Sequence, residues 1–203
     1  ADHYSDELAK TLPKLYGKNA GDFLGSWVSA AGDLNNDGYD DVLLTAPTFK
    51  NKNDESVGAV YLLYGKSSKY TSDSVGRLEY LSGQNSNIGI GDISKTPGDA
   101  NGDGYSDILI SGSTLESGVN YKGISYLIKG KAKKYTTRRI TQSSYGYYGI
   151  TDQYFGQTYQ FVGDAVSFIG DVDGSGRSDV ALIDDSDDEA GYNFGKVYLI
   201  FNW

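Results

Sequence analysis

The chain has no cysteine, no methionine, one histidine (His3) and three prolines in 203 residues. Lack of cysteine excludes disulfides, thiolate metal sites and a cysteine nucleophile. A single histidine next to the terminus leaves no histidine-based catalytic triad elsewhere in the chain. No apolar run approaches the ~18 residues of a membrane span. Positive charge is also scarce: 18 Lys+Arg against 27 Asp+Glu leave a formal net charge of −9. Nucleic acid is bound by cations that displace its counterions, so this balance excludes non-specific nucleic-acid binding. It argues equally against docking on an anionic membrane. The start Ala1-Asp2-His3, with no initiator methionine, reads as the mature end left by a signal peptidase, which makes the chain an expected secreted, extracellular protein.

What is present is glycine, tyrosine and a repeat. The 27 glycines and 18 tyrosines, with 38% hydrophobic residues, indicate an ordered chain of short strands and tight turns. Three segments align without gaps: Leu24–Asp33, Ile90–Asp99 and Val162–Asp171. Each runs into a polar loop and then an apolar run, namely Asp41–Thr45, Asp107–Ser111 and Asp179–Ile183. A further apolar run follows each: Gly58–Tyr64, Gly123–Ile128 and Gly195–Phe201. Loop-to-loop spacings are 66 and 72, the extra six residues falling around Tyr145–Tyr148. The runs are short, β-branched or aromatic, and bounded by Gly and Asp, which predicts strands. More polar strands fit at Gly76–Leu81 and Arg138–Thr141. Three apolar strands and one wet outer strand are the make-up of a β-propeller blade.

The expected fold is therefore all-β, with blades of four antiparallel strands in one domain over 1–203. Repeat 1 spans about 17–81, repeat 2 about 83–141 and repeat 3 about 155–203. Leu15–Asn19 matches Leu81–Asn85 at the same 66-residue offset, so Thr11–Leu15 occupies an outer-strand slot. The third copy reaches Trp203 without an outer strand of its own. The N-terminal strand, over about 11–15, is expected to complete that last blade, in the same or a neighbouring chain. Ser5 to Leu12 also reads as a short helix, and a helical turn ahead of the strand accommodates both.

The excess carboxylates lie in three loops of one pattern. The loops are Asp33–Asp41, Asp99–Asp107 and Asp171–Asp179. Side-chain oxygens stand at positions 1, 3, 5 and 9: Asp33, Asn35, Asp37 and Asp41; Asp99, Asn101, Asp103 and Asp107; Asp171, Asp173, Ser175 and Asp179. Position 6 is glycine, and position 7 (Tyr39, Tyr105, Arg177) offers its backbone carbonyl. An all-oxygen, carboxylate-rich shell suits Ca²⁺, one ion per loop. An EF-hand would need Glu at position 12, where this chain has Leu44, Ile110 and Leu182 inside apolar strands. A single such loop could be a metal-free Asp/Asn/Gly turn; three in register inside a repeat argue against that. Each loop has three carboxylates at the ligand positions, 9 of the 27 acids, and three Ca²⁺ bring the formal charge to −9 + 6 = −3.

On these residues the units resemble FG-GAP repeats, the blades of the integrin alpha-chain β-propeller and of related secreted propellers, some fungal lectins among them. The resemblance covers about 9–203 and rests on the calcium loop, the apolar strand after it and the Gly-x-x-Tyr-Leu strand. Phe23-Leu24-Gly25, Ile88-Gly89 and Phe155-Gly156 stand in for Phe-Gly, and Thr45-Ala46-Pro47 is nearest to Gly-Ala-Pro. The resemblance implies structural Ca²⁺, ligand recognition on the remaining loops, and no catalysis. Family propellers usually have seven blades. Three blades hardly close a ring, so the chains are expected to self-associate by strand exchange, as a six-bladed homodimer ring or a head-to-tail filament. The leading expectation is an extracellular recognition or adhesion module, not an enzyme. The alternatives are a structural protomer of an extracellular oligomer or filament, and a glycan-binding lectin or polysaccharide lyase. No carboxylate pair stands out for a lyase once the calcium ligands are set aside.

Other signals are weaker. Gly65-Lys66-Ser67 is no phosphate loop, because Val60 occupies the position of the required first glycine. Asp184, Asp185, Asp187, Asp188 and Glu189 read as a solvated loop, or as a further cation site or partner-facing patch. Lys129, Lys131, Lys133, Lys134, Arg138 and Arg139 read as a solvated edge, or as a surface for an acidic polysaccharide. Tyr145, Tyr147, Tyr148, Tyr154 and Tyr159 suit a contact between chains, a glycan contact or plain packing.

Overall fold

A computed structural model of the chain describes residues 10–74, 78–83, 88–93, 97–116, 120–136, 138–139, 165–184 and 195–201. Its named elements are all strands. The first unit contains β1 (Leu15–Tyr16), β2 (Val28–Gly32), β3 (Asp41–Ala46), β4 (Ala59–Leu63), β5 (Asp73–Ser74) and β6 (Glu79–Ser82). The second contains β7 (Ile88–Ile93), β8 (Ile108–Glu116), β9 (Asn120–Ile128) and β10 (Arg138–Arg139), and the third β11 (Ala165–Gly170), β12 (Asp179–Asp184) and β13 (Lys196–Ile200).

Each unit builds the same antiparallel meander. The first sheet runs β2-β3-β4-β6, the second β7-β8-β9 and the third β11-β12-β13. The middle strands read as unbroken apolar runs because both of their faces are covered, as in β3, where five of six residues are buried. The three loops leave their sheets at one shared pairing: Gly32↔Asp41, Gly98↔Asp107 and Gly170↔Asp179. β7 lies ahead of the Ser94–Gly98 stretch that the repeat alignment sets against β2; 94–96 are outside the described residues.

The core follows the repeat. Leu34, Leu43, Val60 and Leu62 on one face of the first sheet pack against Ile90, Ile108, Ile110, Tyr126 and Ile128 of the second. The equivalent second-unit residues Ala100, Leu109 and Leu127 pack against Val166, Phe168, Val180 and Leu182 of the third. Every unit thus has an outgoing face and an incoming face. The incoming face of the first sheet carries its own cluster of Leu44, Ala46, Phe49, Val57 and Tyr61, with Leu15, Leu24 and Tyr80 against it. Fully burying such a side chain stabilises by about 1.5–3 kcal/mol, so the inter-sheet contacts dominate the stability.

Two edge expectations are corrected. Arg138–Arg139 is not the outer strand of the second sheet; it pairs in parallel with β6 of the first, Arg138 opposite Leu81. The preceding segment dictates this. Lys131 N donates to Leu34 O at 2.9 Å, Tyr135 N donates to the Tyr64 hydroxyl at 2.7 Å, and the Tyr135 ring is buried in the first core. The chain therefore emerges beside the free edge of β6. The N-terminal strand likewise does not complete the third sheet of its own chain. Leu15–Tyr16 pairs in parallel with Asp73–Ser74, helped by Lys14 N donating to Ser72 Oγ at 3.0 Å. Leu15 is drawn there by the apolar cluster of the first sheet. Lys10 and Thr11 ahead of it are helical; the rest of the expected helix, from Ser5, lies outside the described residues. The tyrosines at 145–159 and the acids at 185–189 lie outside the described residues.

Candidate metal centre

The three loops share one backbone path. Position 6 is left-handed in each, with Gly38 at φ 89°, Gly104 at 86° and Gly176 at 84°. Position 4 is left-handed too, in Asn36 (54°), Gly102 (71°) and Gly174 (79°), a regularity that an Asn/Gly/Gly column carries in the sequence. Asn tolerates this region better than most residues with a Cβ. The two reversals curl each loop so that alternate side chains face its interior.

The oxygens at positions 1 and 3 are held by the loop's own N–H groups. Asp33 accepts from Asp37 N (3.0 Å) and Gly38 N (2.7 Å), Asp99 from Gly102 N (2.7 Å) and Gly104 N (2.8 Å), and Asp171 from Ser175 N and Gly176 N (both 2.8 Å). Asn35 Oδ1, Asn101 Oδ1 and Asp173 Oδ1 each accept from the N–H two residues on, at 3.1, 3.0 and 2.9 Å. Asp37 and Asp103 accept from Tyr39 N (3.1 Å) and Tyr105 N (3.0 Å). A carboxylate has about four acceptor sites, so these bonds fix the side chains and leave lone pairs for a cation.

Position 9 is buried and ties the loop to the sheet. Asp41 accepts from Leu34 N at 3.0 Å and Gly65 N at 2.7 Å, and Asp107 from Ala100 N at 2.9 Å and Gly130 N at 2.8 Å. Burial pushes the Asp107 carboxyl up to about 6; the two N–H donors pull it back, and the charges of Asp99 and Asp103 push it further up. Asp41 is raised for the same reasons, burial first, against the Gly65 and Leu34 donors and with Asp37 and Asp33 nearby. Asp179 departs from this pattern. Its Oδ2 accepts from Val172 N at 2.8 Å, while its buried Oδ1 has no hydrogen-bond partner among the described residues.

In the third loop Asp171, Asp173 and Asp179 offer carboxylate oxygens that all lie within 4.8 Å of one another, the one such acidic triad among the described residues. In the first two loops position 3 is an amide, and its Nδ2 donates to position 5: Asn35 to Asp37 at 3.1 Å and Asn101 to Asp103 at 2.9 Å. The donor set is hard oxygen throughout, and in the third loop three carboxylates converge. The residues present fit a Ca²⁺ ion.

Successive loops are bonded to one another. Ser106 N donates to Asp33 O at 3.1 Å, and Ser178 N donates to Asp99 O at 2.8 Å. Asp99 N returns a bond to Ser178 Oγ at 3.0 Å. The same position-8 donor and position-1 acceptor thus join unit one to two and unit two to three.

Sequence reasoning missed a second surface feature. A cleft of about 400 Å³ opens on the first unit, lined among others by Tyr64, Lys66, Tyr70, Lys134 and Tyr135. Lys66 lies 4.5 Å over the Tyr70 ring and Lys134 4.7 Å over the Tyr64 ring. Only Lys134 of this set belongs to the basic stretch that the sequence singles out; Tyr64 and Tyr70 lie after β4, and Tyr135 lies after β9.

Comparison with known proteins agrees with the repeat. Residues 24–63 match the FG-GAP repeat. Integrin alpha pat-2 of Caenorhabditis elegans is 37% identical over 117 residues, covering 51% of this chain and 9% of that protein. Integrin alpha-PS5 of Drosophila melanogaster is 31% identical over 104 residues, covering 51% and 10%. Integrin alpha-3 of Mus musculus is 34% identical over 97 residues, covering 47% and 9%. The chain spans about a tenth of the length of these curated relatives. Residues 24–63 thus read as one FG-GAP repeat, and about half of this all-β chain is similar to integrin alpha chains.

Proposed function

We propose that the chain is an extracellular adhesion-type recognition module, non-catalytic, whose three hairpin loops each bind a structural Ca²⁺. The observation that carries this reading is the convergence of the Asp171, Asp173 and Asp179 carboxylates in one loop. Asp33, Asn35, Asp37, Asp41 and the Tyr39 carbonyl would hold the first ion. Asp99, Asn101, Asp103, Asp107 and the Tyr105 carbonyl would hold the second. Asp171, Asp173, Ser175, Asp179 and the Arg177 carbonyl would hold the third. A bound Ca²⁺ neutralises carboxylates that otherwise repel one another. Position 9 then links the loop to the β-sheet through its N–H donors, and positions 1 and 3 keep the loop curled.

Calorimetric titration with Ca²⁺ tests the reading. Three ions per chain and a higher melting temperature in Ca²⁺ than in EDTA are expected; saturating a site at a hundred times its Kd adds about 2.7 kcal/mol. No binding heat and no change in melting temperature would refute it. The integrin alpha relatives support protein ligands and an extracellular setting. A second reading, binding of an acidic glycan, is favoured by the cleft. There tyrosine rings offer flat apolar faces, and Lys66 and Lys134 offer cations. A glycan array with and without Ca²⁺ separates the two. Self-association of the chain belongs to the same proposal.

A further inference from the structure

The cleft on the first unit is longer than one hollow. Its space of about 400 Å³ adjoins a second of about 510 Å³, and the two share Leu15, Leu63, Tyr70 and Thr71 as a common wall. Each is within the roughly 300–1,000 Å³ of small-ligand pockets, so together they suit a chain of units better than one compact molecule. Four lysines line them: Lys66 and Lys134 the first, Lys14 and Lys69 the second. Glu79 is the one acid among the described residues of the lining. In a chain of net charge −9 this is a local reversal of sign.

The lysines are held in place but not neutralised. Lys66 Nζ stands 4.5 Å over the Tyr70 ring, and Lys134 Nζ 4.7 Å over the Tyr64 ring. No carboxylate pairs with Lys66, Lys69 or Lys134 among the described residues. The rings are themselves fixed: the Tyr70 hydroxyl donates to Tyr64 O, and the Tyr64 hydroxyl accepts from Tyr135 N at 2.7 Å. A cation already resting on a ring gives up less freedom when it meets an anion, so more of the attraction is left for binding. The sheet beside the cleft has no free edge at β4 or β6. β4 lies between β3 and β6, and β6 between β4 and β10. An extended acidic peptide therefore cannot dock there by adding a strand.

We infer that this cleft binds an acidic oligosaccharide, its anionic groups meeting Lys66 and Lys134 and its sugar rings lying along Leu15, Leu63 and Tyr70. The ligand chemistry is a carboxylate or sulfate carried on a pyranose ring. Lysine offers each anion a point charge on a flexible stem rather than a fixed fork, so it accepts either group. The apolar wall takes the C–H face of the sugar. The second hollow extends the contact to further sugar units, with Lys14 and Lys69 beside it. Added salt weakens the binding, because the cations are on the surface. This inference rests on the glycan reading above and gives it its residues. It is independent of the calcium loops, since none of their candidate ligands lines the cleft.

The test is calorimetric titration of the 203-residue chain with a hyaluronan hexasaccharide (carboxylated), a heparin hexasaccharide (sulfated), neutral cellohexaose and hexaglutamate. At least one acidic hexasaccharide is expected to bind roughly tenfold or more tighter than cellohexaose and hexaglutamate, and the tighter of the two names the anion. Lys66→Ala with Lys134→Ala lowers that affinity by roughly tenfold or more, the loss expected for hydrogen bonds to charged groups. Lys66→Arg with Lys134→Arg keeps it, as does Lys52→Ala, an exposed lysine outside the cleft. Melting temperature and Ca²⁺ stoichiometry stay at wild-type values in all of these variants, because Lys66 and Lys134 are exposed and neither is a candidate ligand. A chain that binds Ca²⁺ but neither acidic hexasaccharide overturns this inference together with the glycan reading and leaves the calcium module standing. Binding that survives the double alanine variant overturns this inference alone, by moving the glycan elsewhere on the chain. Cellohexaose bound as tightly as the acidic sugars overturns it by removing the role of charge. Hexaglutamate bound as tightly overturns it by assigning the cleft to an acidic peptide.

Discussion

Asp107 and Asp103 sit four residues apart in one loop and should fail in different ways. Asp107 is buried and accepts from Ala100 N at 2.9 Å and Gly130 N at 2.8 Å. Asp107→Ala strands two buried N–H groups, each at about 1–3 kcal/mol, so the loss without metal is about 2–6 kcal/mol. At roughly 2–4 °C per kcal/mol for a chain of this size, the melting temperature in EDTA drops by on the order of 10 °C. Asp103 is exposed and accepts from Tyr105 N at 3.0 Å and Asn101 Nδ2 at 2.9 Å. Asp103→Ala in EDTA therefore costs about 1 kcal/mol or less, and removing a like charge near Asp99 offsets part of that. In saturating Ca²⁺ both losses grow, since both variants lose the contribution of the second ion, about 2.7 kcal/mol at a hundred times its Kd. The assay is thermal melting by circular dichroism, wild type and both variants, with EDTA and with Ca²⁺. Equal losses in EDTA would refute the assignment of Asp107 as a double cap. An Asp103→Ala loss no larger in Ca²⁺ than in EDTA would refute its role as a ligand.

Other substitutions probe the fold and the repeat logic. Leu62→Ala in the first core should cost about 2–5 kcal/mol by urea unfolding, whereas Leu199→Ala at the equivalent but exposed position should cost under about 0.5 kcal/mol in a monomeric background. Gly104→Ala meets no atom within 4 Å but must hold φ 86°, so about 1–2 kcal/mol is expected. Gly58→Ala would place a Cβ 1.8 Å from Ile90 O, backbone against backbone; it should separate the first two units and cost more than Gly104→Ala in the same urea series. Tyr64→Phe removes the acceptor for Tyr135 N at 2.7 Å and should cost about 1–3 kcal/mol, with faster amide exchange at Tyr135 as the local readout.

The loops were legible because their chemistry is local. Oxygens at alternate positions and glycine at a left-handed turn are fixed within nine residues, and Gly38, Gly104 and Gly176 adopt almost one φ. The apolar strands were legible for a similar reason, since burial on both faces writes itself as an unbroken run. The lengths of β8 and β9 were not, because Gly112–Glu116 and Asn120–Lys122 are mostly polar and carry no apolar run. The outer edges were not legible either. Whether Arg138 pairs with its own sheet or with Leu81 is decided by Tyr135 docking in a core contributed mostly by the first two sheets, a contact made 71 residues away in sequence at Tyr64. Leu15 followed the same rule, leaving its repeat-derived slot for an apolar cluster.

The bonds from Ser106 to Asp33 and from Ser178 to Asp99 place each candidate metal loop at a joint between sheets. A quasi-linear array shares its stability between its units and the joints that connect them. Calcium held at the joints would therefore set how stiffly the units are coupled, more than how stable each one is. With such sites occupied the array would melt as a single block, and without the cation it would unzip unit by unit, so the breadth of the transition would report calcium activity around the protein.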